Sequence, residues 1–392
     1  MSNQLFGNST VVAIDFGTSK IAATVGRLVN GSHEITGEAV VPYAGFRGAQ
    51  WLEPDLLTTQ VGTAFEEAVK NAGVKKKDVF VGIPGEFTRV YFRKAQVVPS
   101  GPDMTVTEED LFHLTRMASD FTGVKDHVVV RNRTVAWQLD DLLTAQRPVG
   151  QSGESLTVFV SIVTAENVFI QMVESIAQQL GLTVVGFIPS IVALGAWIDL
   201  TEVYEDGTPE DRTTLIVDGG HFSTDVMILQ FGQIVYHRSI AAGGYHLTSD
   251  IAQVMKLSAE EAEAAKRHCG VGVPMSGNGM VELVVNETSL TIDARLAQEI
   301  MEARLDDIVA RVVRETQRFG LTLDRDVRVI LAGAGLGAVR GVKEFFSGRL
   351  GITVRNISQT DASVPPELVT VNALLRTAAI SQKNQRSGFF GR

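Results

Sequence analysis

Apolar residues in this chain gather in short runs broken by glycine, beginning with Val11-Val12-Ala13-Ile14. Four such positions in a row read as a strand covered on both faces. Gly17 closes that run. Strands from Ile21 to Leu28 and from about Glu34 to Val41 follow, separated by Asn30-Gly31-Ser32, which predicts a β-meander. A helix is expected over Leu56 to Ala72 with Gly73 past its end, then a strand from Val79 to Ile83.

Between Glu86 and Ser161 strand-like pieces flank a helix whose Thr107 and Asp110 have capping-box spacing, with Gly123 beyond its end. This is read as a small α+β module inserted in a first lobe. Thr157 to Val163, a helix over Glu166 to Leu180 and a strand over Thr183 to Ile188 are expected to restore βαβ order. The helix has an apolar face of Val168, Met172, Val173, Ile176 and Leu180.

A polar connection, Thr201 to Arg212, precedes a second copy of the opening pattern. Leu215-Ile216-Val217 runs into Asp218-Gly219-Gly220, and strands over Asp225 to Leu229 and Ile234 to Ile240 complete a meander. Asp218 lies 203 positions after Asp15. A repeat of that size predicts two similar lobes facing a cleft. Further on come a helix capped by Ser258 and Glu261 that ends at Gly270, and an amphipathic helix over Ala294 to Phe319. A strand over Val327 to Leu331 then runs into Gly333-Ala334-Gly335-Leu336-Gly337, and another helix precedes Gly351.

The expected fold class is α/β, two-lobed and duplicated, with an inserted α+β subdomain. The first lobe takes 1–85 and 162–195, the insertion 86–161. The second lobe takes 196–255 and 320–380, a subdomain 256–319, and a tail 381–392.

With 392 residues the chain exceeds the roughly 250–300 at which a single core stops growing. A net charge of -10 with no long basic block argues against nucleic acid as a partner. The single cysteine, Cys269, excludes an intrachain disulfide and fits a reducing compartment. Positions 1–10 lack the features of a signal peptide, and no apolar run reaches the ~20 residues of a membrane span, so membrane contact would be peripheral.

Three turns, each following an apolar strand, carry candidate chemistry. In Asp15-Phe16-Gly17-Thr18-Ser19-Lys20, consecutive N–H groups can cradle phosphate oxygens, Thr18 and Ser19 add hydroxyls, and Lys20 adds a charge. Asp15 can hold the water shell of Mg²⁺. Such a turn also closes ordinary hairpins. Asp218-Gly219-Gly220-His221-Phe222-Ser223-Thr224-Asp225 supplies the opposing half, with Asp218 as a second water-mediated Mg²⁺ residue. The third, Gly333-Ala334-Gly335, lets a purine and its ribose come near the backbone.

In this order the three turns resemble the two phosphate motifs and the adenosine motif of the actin-like ATPases, and the chain resembles the FtsA family among them, over roughly Val11 to Ala379. Phe80-Val81-Gly82-Ile83-Pro84-Gly85 looks like the strand end before that family's interaction subdomain. Gly243-Gly244 with Thr248, Asp250 and Ile251 looks like another of its segments. Glu263 and Lys266 match residues that approach the ribose and base. The resemblance implies ATP and Mg²⁺ as cofactors and a filament-forming protein at the inner face of the cell membrane. It implies as partners FtsZ, other division proteins and the chain itself.

Two features depart from the family. His221 and Phe222 stand where the second hairpin normally has glycines, where side chains restrict the backbone and crowd the terminal phosphate. His221 is read as a tolerated replacement without a catalytic role. No residue that would orient an attacking water is evident, so nucleotide binding is expected without a commitment to hydrolysis. The tail, Ser381 to Arg392, has three positive charges and the pair Phe389-Phe390, which suits an anionic lipid surface. It equally suits a disordered polar end. A pilus-assembly protein of the PilM type, binding a peptide of a membrane partner, is the alternative function. A small-molecule kinase is a third reading, for which the sequence offers no carboxylate base.

Overall fold

The computed structural model describes residues 10–29, 32–201, 213–272, 279–357 and 364–389, with the side chains at 28–29, 32–33, 199–201 and 383–389 excepted. The turn 30–31 and nearly all of the polar connection 201–212 lie outside the described residues.

Val11–Phe16 is buried at all six positions because it is the middle strand of a five-stranded sheet. It pairs antiparallel with Lys20–Val29, which pairs antiparallel with Ser32–Pro42. On its other side Asp78–Ile83 and then Thr183–Pro189 run parallel. The helix Pro54–Asn71 starts with proline in its first turn and lays Leu57, Val61, Ala64 and Phe65 on this sheet. The helix Asn167–Leu180 ends at Gly181 in the left-handed region and buries Phe169, Val173, Ile176 and Ala177. Val168, expected on its apolar face, is instead 51% exposed, because Phe169 takes the inward position.

The second lobe repeats the plan strand for strand: Gln233–Ile240, Thr224–Gln230, Thr214–Gly219, Arg328–Ala332 and Val354–Asn356 lie side by side. The register repeats too. Ala13 faces Thr24 and Ile216 faces Met227; Asp15 faces Ala22 and Asp218 faces Asp225. Each pair in the second lobe lies 203 positions after its counterpart in the first. Two helices, Ser190–Thr201 and Val369–Phe389, fill the space between the sheets. Trp197, Leu194, Val371 and Leu374 meet Val11 and Ala13 of one sheet and Ile216 and Met227 of the other. Thr24 donates its hydroxyl to Asn372 Oδ1 at 3.1 Å inside this layer. The lobes therefore share an apolar floor, and the cleft opens above it.

The inserted module is a four-stranded sheet in the order Thr88–Val97, Leu156–Glu166, His127–Leu139 and Leu142–Thr144, with the helix Glu108–Ser119 on one face. The strand Thr157 to Val163, expected to restore βαβ order across the module's boundary at 161, is a central strand of the module throughout and runs on to Glu166. Its alternate residues Val158, Val160 and Ile162 face the helix, while Phe159 packs toward the second lobe. A run covered on both faces does not reveal which sheet owns it. The module's other face rests on the second lobe. Ser161 donates to the Ile234 carbonyl, Arg131 donates to Gln233 at 2.9 Å, and Phe92 lies 6.4 Å from Phe319. Burial pushes the Arg131 guanidinium down to about 10.

The C-terminal helix extends through Phe389, so the backbone of the expected tail is helical to that point. The tail's side chains from 383 on lie outside the described residues. Among the described residues no helix is long and apolar enough to cross a membrane.

Candidate functional site

A cleft of about 460 Å³ lies between the lobes, within the size range of small-molecule sites. Each wall carries one of the glycine hairpins. The turns close alike: Gly17 N–H donates to the Lys20 carbonyl and Gly220 N–H to the Ser223 carbonyl, both at 2.9 Å. The two hairpins also touch, because Phe222 N–H donates to Thr18 Oγ1 at 3.3 Å. Asp15, Gly17, Thr18, Ser19, Lys20, Asp218, Gly220 and Ser223 all line the cavity.

Gly219 and Thr224 do not line it. A Cβ at Gly219 would meet Leu336 Cγ at 2.4 Å, and the Thr224 hydroxyl is spent on the Ala242 carbonyl at 2.7 Å. Gly243 and Gly244 are likewise behind the wall. There Gly244 N–H holds the Gly220 carbonyl at 2.9 Å and Tyr245 N–H holds that of His221 at 2.8 Å. These four positions brace the hairpin instead of facing a ligand.

The charges at the cleft floor are unevenly matched. Burial raises the Asp15 carboxyl, against which Lys20 and the Ser190 hydroxyl, 3.1 Å from Oδ1, act. Asp218 is pushed up to about 7 by burial and by the neighbouring carboxylates Asp225 and Asp15, with Lys20 as its counter-charge. Lys20 is lowered by its own burial and donates to the Glu367 carbonyl. An excess of buried carboxylate over cation is the environment that a divalent ion relieves. Among the described residues no three His, Cys, Asp or Glu converge to ligate a metal directly.

The third glycine turn closes the far end. Gly333 has φ +86°, and a Cβ there would sit 2.4 Å from Asp218 Oδ1. At Gly335 a Cβ would sit 1.9 Å from the Gly220 carbonyl oxygen, so the turn presses on the second hairpin with nothing between. Gly333, Ala334 and Gly335 line the cavity, and opposite them stand Glu263 and Lys266. These two form an ion pair at 2.6 Å, with Thr248 donating to Glu263 Oε2 at 2.6 Å. Those bonds hold the Glu263 carboxyl below the usual range despite its burial, and burial lowers Lys266.

The cleft also gathers residues that motif reading left without a role. Ser190 reaches it from the first turn of the central helix, and Glu367 from the 3₁₀ turn Pro366–Leu368. Asp225 faces it from the second strand of the second lobe, with His237 Nε2 3.1 Å from its Oδ1. Glu86 lies just past the parallel strand Asp78–Ile83, the end at which open α/β sheets collect ligands. Its Oε2 accepts from Ala49 N–H at 3.0 Å and its carboxylate bonds the Ser223 hydroxyl, while Oε1 is buried without a partner. Burial raises its carboxyl.

His221 lines the cavity, but its ring packs edge-on against Phe222 at 4.6 Å and Tyr245 at 5.5 Å. Burial first, then Lys266, lowers its ring toward the neutral form. Neither His221 nor Phe222 has positive φ, which is why the turn accepts side chains where glycine is usual.

The family described as Cell division protein FtsA matches residues 215–373, and that described as Type IV pilus assembly protein PilM matches residues 148–278. The cell division protein FtsA of Neisseria meningitidis serogroup B is 26% identical over 377 residues, covering 95% of this chain and 87% of the relative. That of Bacillus subtilis is 24% identical over 383 residues, covering 96% and 85%. Among solved structures, the PilM-PilN type IV pilus biogenesis complex aligns with a TM-score of 0.62 at 17% identity, covering 94% of this chain and 98% of that one. MreB5 of Spiroplasma citri bound to AMPPNP aligns with a TM-score of 0.53 at 13% identity, covering 97% and 98%. The chain shares the actin-like fold of these structures.

Proposed function

From the premise that this chain is a divergent relative of the FtsA cell-division proteins on an actin-like fold, we propose that it binds Mg·ATP in the interlobe cleft, assembles into filaments and tethers the FtsZ ring to the cytoplasmic membrane. The observation that carries the nucleotide part is the meeting of the two hairpins across a cleft whose carboxylates outnumber its cations. In this reading the N–H groups and hydroxyls of Gly17 to Lys20 and Gly220 to Ser223 hold the phosphates. Lys20 turns from the Glu367 carbonyl to the phosphate charge. Asp15 and Asp218 hold the water shell of Mg²⁺, which neutralises phosphate and carboxylate charge together. Gly333, Ala334, Gly335, Glu263 and Lys266 receive the adenosine. Glu86 orients a water near the terminal phosphate, so slow hydrolysis is chemically available.

The tail, Ser381 to Arg392, is the proposed contact with anionic lipid, and the division site is the proposed location. Two aromatic rings and three cations make a weak anchor, at about 1 kcal/mol per cation, so many copies in a filament would act together. Electron microscopy of the purified chain with Mg·ATP, with and without anionic vesicles, tests this. Filaments that coat vesicles, and coat them less when 381–392 are removed, are expected. A chain that stays monomeric in both conditions contradicts the filament reading. The match of residues 148–278 to PilM supports a second reading, an ATP-binding partner of a membrane-protein peptide in pilus assembly. A chain that remains monomeric with Mg·ATP but binds such a peptide selects it.

A further inference from the structure

We propose that Phe222 is a handle by which the first lobe grips the second phosphate hairpin, with Arg47 as the hand, so that this pair sets how long a nucleotide stays. The proposal rests on the nucleotide reading for its ligand, but the contact itself is a property of the chain. Phe222 and Arg47 come from different lobes and neither lies on the shared apolar floor. The Arg47 guanidinium lies 5.8 Å from the centre of the Phe222 ring, within cation–π range. Among the described residues Arg47 has no carboxylate partner.

The arm that presents Arg47 is tied to the first lobe at several points. It is the short hairpin of Phe46–Arg47 and Gln50–Trp51, turned through Gly48 and Ala49 with φ +57° and +60°. Gly45 N–H donates to the Thr18 carbonyl at 3.2 Å, Tyr43 N–H to the Ser19 carbonyl at 3.0 Å, and Ala49 N–H to Glu86. Phe46 and Trp51 sit in a cluster with Phe16, Phe87 and Phe169, at ring spacings from 5.0 to 6.3 Å. The first phosphate turn and the Arg47 arm are therefore joined by backbone hydrogen bonds and one aromatic cluster.

On the other side Phe222 is wedged by Tyr245 at 4.9 Å and its N–H is tied to Thr18 Oγ1. His246 also lies near, with Nε2 3.5 Å from Arg47 Nη2. Its Nδ1 accepts from Gly243 N–H at 3.1 Å, which leaves the hydrogen of the neutral ring on Nε2, facing another donor. That contact gives Arg47 nothing to bond, so the ring of Phe222 is what the guanidinium holds. With glycine at 222, the turn would keep its N–H bond to Thr18 and the Ser223 contact with Glu86 but lose the ring that Arg47 holds. The two positions that depart from the family pattern thereby acquire different roles: His221 packs, and Phe222 links the lobes.

The test uses the full chain as wild type, Arg47→Ala, Phe222→Leu, the double variant, and Phe222→Tyr, which keeps a ring. Amide hydrogen exchange of 219–226 is followed without nucleotide, and release of a fluorescent ATP analogue with Mg²⁺ is followed by stopped flow. Both single variants are expected to speed exchange and release by about two- to fivefold, the scale of an exposed cation–π contact. The double variant is expected to match either single one, and Phe222→Tyr to match wild type, with Tm unmoved throughout. Unchanged exchange in both single variants, or effects that simply add in the double, overturns the proposal. If wild type takes up no analogue, the nucleotide reading fails, and the exchange measurement still decides whether the handle exists.

Discussion

In the first lobe the hairpin after Val11–Phe16 turns through Thr18 and Ser19 and delivers a cation, Lys20, to the cleft. In the second lobe the same hairpin, 203 positions later and in the same register, delivers His221 and Ser223 to the cleft and turns Phe222 toward Tyr245 and Arg47. The backbone hydrogen bond that closes each turn is the same length. The carboxylates beneath them differ. Asp15 has Lys20 and the Ser190 hydroxyl beside it; Asp218 has Asp225 facing it in register and is pushed up to about 7. A duplicated scaffold thus keeps its geometry while its halves differ in charge: one brings Lys20 and hydroxyls, the other brings a second buried carboxylate set against Asp225.

The largest expected effect comes from removing what both halves are proposed to share. Asp15→Ala or Asp218→Ala should weaken Mg·ATP binding by at least about tenfold, the order of one charge-assisted contact worth ~1.5–3 kcal/mol. Titration calorimetry reads the affinity and circular dichroism the fold. The lobes should differ here, because Asp218→Asn removes a carboxyl whose ionisation burial opposes. Its Tm without nucleotide at pH 8 should equal or exceed that of wild type. Unchanged affinity in either alanine variant counts against the shared site.

Next in size is Gly335→Ala. A methyl group 1.9 Å from the Gly220 carbonyl must displace the second hairpin and leave the first alone. A loss of ~1–3 kcal/mol in stability, the cost of overpacking, should accompany weaker nucleotide binding. Denaturant unfolding checks the first part and calorimetry the second. Retention of both would mean that the glycine turn does not brace the hairpin as described.

The pH dependence should be smaller and should belong to the second lobe. Unfolded, Asp218 would lose its proton near 3.8; folded, it keeps it to about 7. Between these values the folded chain binds the extra proton, so this group makes stability fall as pH rises from about 4 to 7 and adds no further change above. Mg²⁺ must displace the same proton, so Mg·ATP affinity should rise by about tenfold from pH 6 to pH 8, and the rise should vanish in Asp218→Asn. An affinity that is flat with pH in wild type would show that Asp218 does not face the ion.

Much of this was legible in the sequence because it is local. Strand, aspartate and glycine turn are contiguous, and their repetition at a fixed interval revealed two lobes before any contact was known. The residues that were missed are brought in by tertiary structure. Ser190 and Glu367 arrive on the helix and turn between the lobes, and neither carries a motif. Asp225 stood inside a quoted motif without a role, although the same interval places it opposite Asp218. Glu86 follows the end of a parallel strand, which is the signal that could have found it. The boundary expected at 161 falls inside the strand Leu156–Glu166 because an apolar run says that both faces are covered and not by what. Gly243 and Gly244, expected from the resemblance to contact the ligand, instead pack closely behind the second hairpin.

The central claim is that hairpins from both lobes hold one triphosphate. A crystal structure of the chain with Mg²⁺ and a non-hydrolysable ATP analogue tests it directly. The account predicts phosphate density between Gly17–Lys20 and Gly220–Ser223, with the metal's waters on Asp15 and Asp218. Density against one hairpin alone, or a nucleotide bound outside this cleft, would contradict it.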